Sequence, residues 1–231
     1  MKRKNIDKIK SLESPPKIVN IFSENEIKMI ERLYYDLPER TFNKKQNVKK
    51  KAWIQNYNKE LDKIYFQKLK EVLGDFKMDT LKSETGEDFY GLFHESFSPL
   101  TLHVDSGFFP EDVIYKQAVT PLTPFGDTVI FKNRWYDRST TFTINPEELK
   151  FKPKPEQNDR SNKHIGEEDF DRDIHKKYLS HIDYNNLKGL KVEMIYTWKV
   201  GETLIMDRSH IHSASTRIKQ KKLGLTTFTK K

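Results

Sequence analysis

Two short runs in this chain pair metal-binding residue types at a spacing of two. In 102–107 (LHVDSG), alternation along a strand puts His103 and Asp105 on one face, where both can grip a single ion. Far downstream, 204–215 (LIMDRSHIHSAS) carries His210 and His212 just past a strand, again two apart. A third run, 221–229 (KKLGLTTFT), reads as a strand that opens on Lys221 and Lys222, with Gly224 and Thr226 on the Lys222 side. Taken alone, an H-x-D is as well explained by a polar strand end.

Two imidazoles and one carboxylate on one side of a divalent ion leave open coordination positions for other oxygen ligands. The chain has no cysteine. Disulfides, thiolate zinc sites, iron–sulfur clusters and cysteine nucleophiles are therefore excluded, and any metal must be held by His, Asp and Glu.

The elements that must position these residues fall into two groups. Residues 18–22 (IVNIF) predict a buried strand. Ser23 with Glu26 three residues later is a capping-box signature for a helix over 24–37, which Pro38 stops. Ile27, Ile30, Leu33 and Tyr34 share one face of that helix. A second amphipathic helix covers roughly 58–74, with Leu61, Ile64, Tyr65, Leu69 and Val72 apolar. After residue 88, short runs rich in Phe, Thr, Val and Ile follow one another: FYGLF, PLTLHVD, GDTVIF, TTFTI, LKVEMIYTW, ETLIMD and LGLTTFT. Short strands at this density predict a sandwich or barrel with helices packed outside. A polar stretch at 146–186 interrupts them, as a lid or a mobile solvated loop would.

The expected organisation is a basic N-terminal arm over 1–16, ending in Pro15-Pro16, and a single domain over 17–231. The 231 residues carry 42 Lys and Arg against 34 Asp and Glu, net +8, a balance that favours anionic partners. Much of the surplus sits at 2–10 and in 44–51 (Lys44, Lys45, Lys49, Lys50, Lys51), read as a solvated loop. No recognition helix and no aromatic–lysine interleaving is visible, so nucleic acid is not the favoured partner. No apolar stretch approaches a membrane span and the N-terminus has no apolar signal core, so a cytoplasmic protein is expected.

The order and types of these motifs resemble the Fe(II)/2-oxoglutarate-dependent oxygenase superfamily: an H-x-D on an early strand, a distal His far downstream, and a basic residue shortly beyond it. The lead strand and helix (IVNIFSENEIKMIERL) and the run KYLSHIDYNNLKGLKVEMIYTWKVGETLIMDRSHIHSAS, followed by KKLGLTTFT, resemble small microbial and phage-type members. The likeness spans about 17–230, apart from 146–170.

The resemblance implies a mainly β fold with flanking α-helices around a double-stranded β-helix (jelly-roll, cupin-like) core. It implies Fe(II), 2-oxoglutarate as cosubstrate and O2, with release of succinate and CO2. Carried over residue by residue, it assigns His103, Asp105 and His212 to the metal, with His210 as competitor for the distal position. Lys222 becomes the anchor for the far carboxylate of 2-oxoglutarate, Thr226 a second donor, and Arg217 the alternative anchor. Arg is commoner than Lys in that role. Retention of Asp105 favours hydroxylation, or a demethylation that begins as one, over halogenation. A small or anionic substrate is the first expectation. The alternatives are a nucleic-acid-directed oxygenase and a jelly-roll binding module without turnover, since a fold alone fixes no function.

His94-Glu95 is either a pair near the site or a hydrogen-bonded packing pair. Trp135, Tyr136 and Arg138 either line a substrate mouth or cap the packing. The acidic run 167–171 matches no calcium loop, and His164, His175 and His181 are expected at the surface.

Overall fold

A computed structural model describes residues 4–38, 41–43, 48–82, 86–144, 159–215 and 220–231. Two mostly antiparallel sheets face each other. The larger runs β1 (Lys17–Val19), β13 (Thr203–Asp207), β8 (Ile114–Pro121), β15 (Lys222–Lys230), β6 (Asp88–Ser96), β3 (Val48–Ile54) and β2 (Thr41–Asn43), with β4 (Lys77–Met78) on β15 and β5 (Leu81–Lys82) on β6. The smaller runs β11 (Asp159–Ser161), β10 (Thr140–Phe142), β7 (His103–Val104), β14 (His210–Ala214), β9 (Asp127–Arg134) and β12 (Val192–Thr197). This crossed strand order, with consecutive strands passing between sheets, is the expected jelly roll.

Period-two alternation sorts side chains between the inside of the roll and its two outer layers. On β15, Leu223 and Leu225 point outward into a cluster with Ile27, Ile30, Leu33, Leu61, Tyr65 and Leu69. Those partners come from helices α2 (Glu24–Asp36) and α3 (Lys59–Leu73), which cover the larger sheet. The α2 start is the expected capping box: the Glu26 amide donates to Ser23 Oγ at 3.3 Å and the Ser23 amide to Glu26 Oε2 at 2.7 Å. Asn58 caps α3 by accepting from the Leu61 amide, and Gly74, at φ 67°, ends it. Between the sheets, Val119, Ile130, Tyr196, Trp198, Leu204 and Met206 form the inner core.

Several elements differ from expectation. The run 18–22 forms only the edge strand β1, with Ile18 43% exposed, because it pairs on one side alone. Strand β8 (IYKQAVTP) lies at the centre of the larger sheet, although its polar residues hide it from a hydrophobic reading. Of the lysine-rich 44–51 read as a solvated loop, 44–47 lie outside the described residues and the rest opens strand β3, in which Lys49, Lys51 and Trp53 alternate with Val48, Lys50 and Ala52. Within 146–186, residues 146–158 lie outside the described ones. The remainder packs Phe170, Leu179 and Ile182 beneath the smaller sheet against Leu102, Val129, Phe131 and Phe142. His164, His175 and His181 are not surface residues: each is partly buried, and each Nε2 meets a backbone oxygen, of Asn186, Ile182 and Leu100 respectively. Of the basic lead, Ile6–Ser11 is a short helix, α1, that buries Ile9 against Val113 and Ile114. Among the described residues, no helix is long and apolar enough to cross a membrane.

Candidate metal centre and its facing cation

Strands β7 and β14 pair so that His103 and His212 are direct cross-strand partners, with ring centroids 4.2 Å apart. Asp105 follows β7, and its Oδ2 lies 3.9 Å from His103 Nε2 and 3.4 Å from His212 Nε2. One ligand atom from each of the three falls within 4.8 Å of the others, and this is the one such His/Asp/Glu group among the described residues. The other ring nitrogens are committed: His103 Nδ1 donates to the Thr101 carbonyl at 2.7 Å and His212 Nδ1 to the His210 carbonyl at 3.0 Å. That tautomer leaves both Nε2 lone pairs turned toward Asp105, as metal-ligating imidazoles require.

Burial, with the neighbouring His212, lowers His103 to about 4, so it is neutral near pH 7. Burial pushes the Asp105 carboxyl up, but the His212, His103 and His94 imidazoles around it outweigh that and hold the group well below the usual carboxylate range. A neutral His103 imidazole beside an ionised Asp105 carboxylate matches the protonation states a divalent ion needs. The Asp105 side chain is 32% exposed and that of His212 8%, so the cluster opens to one side only.

His210 does not join it. A register shift between His210 and His212 breaks the alternation that would put both on one face. The wholly buried His210 ring instead sits between the Asp207 carbonyl (3.1 Å) and Glu193 Oε2 (3.0 Å), so an acceptor meets its N–H in either tautomer. Burial and the Arg134 guanidinium lower it to about 3.

On the facing sheet, Lys222 points into the roll with 4% exposure. Its Nζ donates to the Asp127 carbonyl at 3.1 Å and lies 4.0 Å from the Trp198 ring centroid. The Asp127 carboxylate is occupied by Ser215 Oγ and Thr197 Oγ1. Among the described residues, no carboxylate is within ion-pair reach of the Lys222 ammonium. Burial lowers Lys222 to about 7, with Asp127 offsetting part of the cost. Trp198 can lie on the strand because position 224 is glycine: a Cβ there would sit 2.6 Å from the indole. Thr226 shares the Lys222 face, half-buried between Leu92 and Val119 on the neighbouring strands. Arg217 lies outside the described residues.

Three further polar groups line the interior. The pairing Lys50–His94–Gly224 runs across β3, β6 and β15, so Lys50 and His94 face the metal cluster on the Gly224 side. Glu95, next to His94, points the other way and accepts from the Tyr34 hydroxyl. Gln117 shares the inward face with Val119 and is fully buried, yet among the described residues neither end of its amide has a partner. Lys50 was masked by its neighbours in a lysine run; the apolar Val48, Ala52 and Trp53 around it were the available strand signal. Trp135 and Tyr136 turn out to be packing residues, bonded to the Arg138 carbonyl and to Glu13, and Asp171 caps a short helical turn.

No protein-family model matches the chain, and no curated protein matches it in sequence. Its structure is similar to solved ones. A 2OG-Fe(II) oxygenase family oxidoreductase from Burkholderia pseudomallei is 12% identical, covering 97% of this chain and 89% of its own, at TM-score 0.52. The epimerase SnoN, in complex with Fe3+, alpha ketoglutarate and nogalamycin RO, is 12% identical over 97% and 84%, at 0.51. HygX from Streptomyces hygroscopicus, with nickel, 2-oxoglutarate and hygromycin B bound, is 10% identical over 100% and 87%, at 0.50. The chain therefore has the fold of these 2-oxoglutarate oxygenase structures.

Proposed function

We propose that this protein is an Fe(II)- and 2-oxoglutarate-dependent oxygenase. The observation that carries the reading is the pairing of two incomplete groups across the roll. On one sheet, two bare imidazole nitrogens converge with a carboxylate; on the other, a buried ammonium has no carboxylate within ion-pair reach among the described residues. A buried unpaired charge is costly to hold unless a ligand completes it. A metal completes the first group and a dicarboxylate completes the second.

The donor set fits Fe(II): His103 Nε2, His212 Nε2 and the Asp105 carboxylate would hold it, leaving open positions for a 2-oxo acid and dioxygen. Bound there, iron with 2-oxoglutarate and O2 couples decarboxylation to succinate and CO2 with oxidation of a C–H bond. The Lys222 ammonium would pair with the far carboxylate, with Thr226 as a second donor. Trp198 walls the anchor from water, and the α2–α3 layer closes the outside of that sheet. The carboxylate of Asp105 fills the position a halide would need, which favours hydroxylation. SnoN and HygX carry small-molecule natural products on this scaffold, in keeping with a small-molecule substrate here.

The test is succinate formation from 2-oxoglutarate, with Fe(II) and oxygen, by the wild type and by Lys222→Met. Slow uncoupled turnover that the variant lacks supports the reading. No metal-dependent succinate under any condition moves the weight to a binding module on the same scaffold.

A further inference from the structure

We infer that Lys50 and His94 form a recognition site for a carboxylate on the primary substrate, separate from the Lys222 anchor. The inference rests on the oxygenase reading and names the substrate class that reading leaves open.

Three observations carry it. First, the register Lys50–His94–Gly224 puts both side chains on the inward face of the larger sheet, beside the metal cluster. Second, both are half-buried without a partner: among the described residues, no hydrogen bond holds the His94 ring and no carboxylate lies within ion-pair reach of Lys50. Lys51, one residue on, shows the ordinary fate of a lysine in this strand; its ammonium donates to the Tyr34 carbonyl at 2.7 Å on the outer face. Third, the anion acting on Lys50 is Asp105, which a metal would take as ligand, so with the metal bound Lys50 keeps no other carboxylate within ion-pair reach among the described residues.

The separation of the two cations argues against one ligand serving both. Lys222 is on β15 and Lys50 on β3, with β6 between them, so their strands stand roughly 10 Å apart. A 2-oxo acid reaching from the metal to Lys222 would end on β15, leaving Lys50, two strands away, to a second molecule on the β3 side. Burial and the Lys50 ammonium keep His94 at about 3, so its ring is neutral and adds hydrogen bonding and shape, not charge. One ammonium and one neutral imidazole match a carboxylate better than a phosphate dianion, which ordinarily gathers several cationic or backbone donors.

The experiment uses protein loaded with Mn(II) and saturating 2-oxoglutarate, with propionate as the probe and propionamide as its neutral counterpart. Paramagnetic broadening of the probe's NMR lines reports approach to the metal. The expected result is broadening of propionate over propionamide in the wild type, its loss in Lys50→Met and its return in Lys50→Arg. Affinity for 2-oxoglutarate should stay within about twofold in Lys50→Met, which also shows that the variant folds. Equal broadening of both probes, or undiminished propionate broadening in Lys50→Met, overturns the inference alone. Loss of 2-oxoglutarate binding in Lys50→Met as large as in Lys222→Met also overturns it, because Lys50 then belongs to the cosubstrate. Failure of the wild type to bind metal and 2-oxoglutarate overturns it together with the oxygenase reading.

Discussion

His103 and His212 face each other directly across the β7–β14 pair, and each fixes its own ring by giving its Nδ1 proton to a backbone carbonyl two residues earlier in the chain. The two rings thus present matching Nε2 atoms without help from other side chains. Asp105, one residue past the end of β7, completes the set. His210, two residues from His212, is excluded by the register shift between them.

That relationship separates the two histidines experimentally. His212→Ala should abolish tight Fe(II) binding while leaving the fold intact. His210→Ala should keep metal binding but lower stability by about 1–3 kcal/mol, because Glu193 loses its buried partner. Metal titration and thermal melts of both variants check this; retention of Fe(II) by His212→Ala with loss in His210→Ala would reverse the assignment.

Lys222→Met should weaken 2-oxoglutarate binding about a hundredfold, as expected for a buried charge-assisted pair worth about 2–5 kcal/mol. The ligand-free variant should melt no lower than the wild type, because it replaces a buried ammonium with no ion-pair partner among the described residues by an apolar chain of similar reach. A fall in both affinity and melting temperature would make Lys222 structural.

The affinity for 2-oxoglutarate should fall as pH rises above about 7. Only the protonated ammonium holds a carboxylate, and in the free protein burial lowers Lys222 to about 7. The affinity should drop by up to about tenfold per pH unit until the ammonium in the complex itself titrates. Ligand-free stability should move the opposite way. Between about 7 and the ordinary 10.5, the unfolded chain holds a proton that the folded one has released, so this group's contribution to stability rises with pH. Calorimetry at several pH values reads the first trend and denaturant unfolding the second; a pH-independent affinity contradicts the first.

Gly224→Ala should displace Trp198, since the new Cβ would meet the indole at 2.6 Å. A stability loss of about 1–3 kcal/mol and weaker 2-oxoglutarate binding are expected together, because the indole also covers the Lys222 ammonium. Tryptophan fluorescence with a cosubstrate titration checks both; an unperturbed indole would show that the strand yields instead.

What the sequence made legible is what local spacing encodes. The capping box of α2, the end of α3 near Gly74 and the shared face of His103 and Asp105 follow from neighbours within a few residues, whereas the inward turn of Lys222 is implied only by the family resemblance. The rest depends on pairing over long distances. Lys50 looks like one of several solvated lysines until β3 joins β6 and turns it inward. Strand β8 escapes a hydrophobic reading because Gln117 and Thr120 are buried by the sheets on either side rather than by their own character. The shift that removes His210 from the metal is a property of the β14–β9 ladder, and spacing alone cannot show it.

The central claim is tested most directly by anaerobic titration of the Fe(II)-loaded protein with 2-oxoglutarate, following the weak visible charge-transfer absorption of a chelated 2-oxo acid. The account predicts that the band appears in the wild type, is lost in Asp105→Ala, and requires far more 2-oxoglutarate in Lys222→Met. An Fe(II)-loaded wild type that shows no band at saturating 2-oxoglutarate, or the same band in all three proteins, would contradict it.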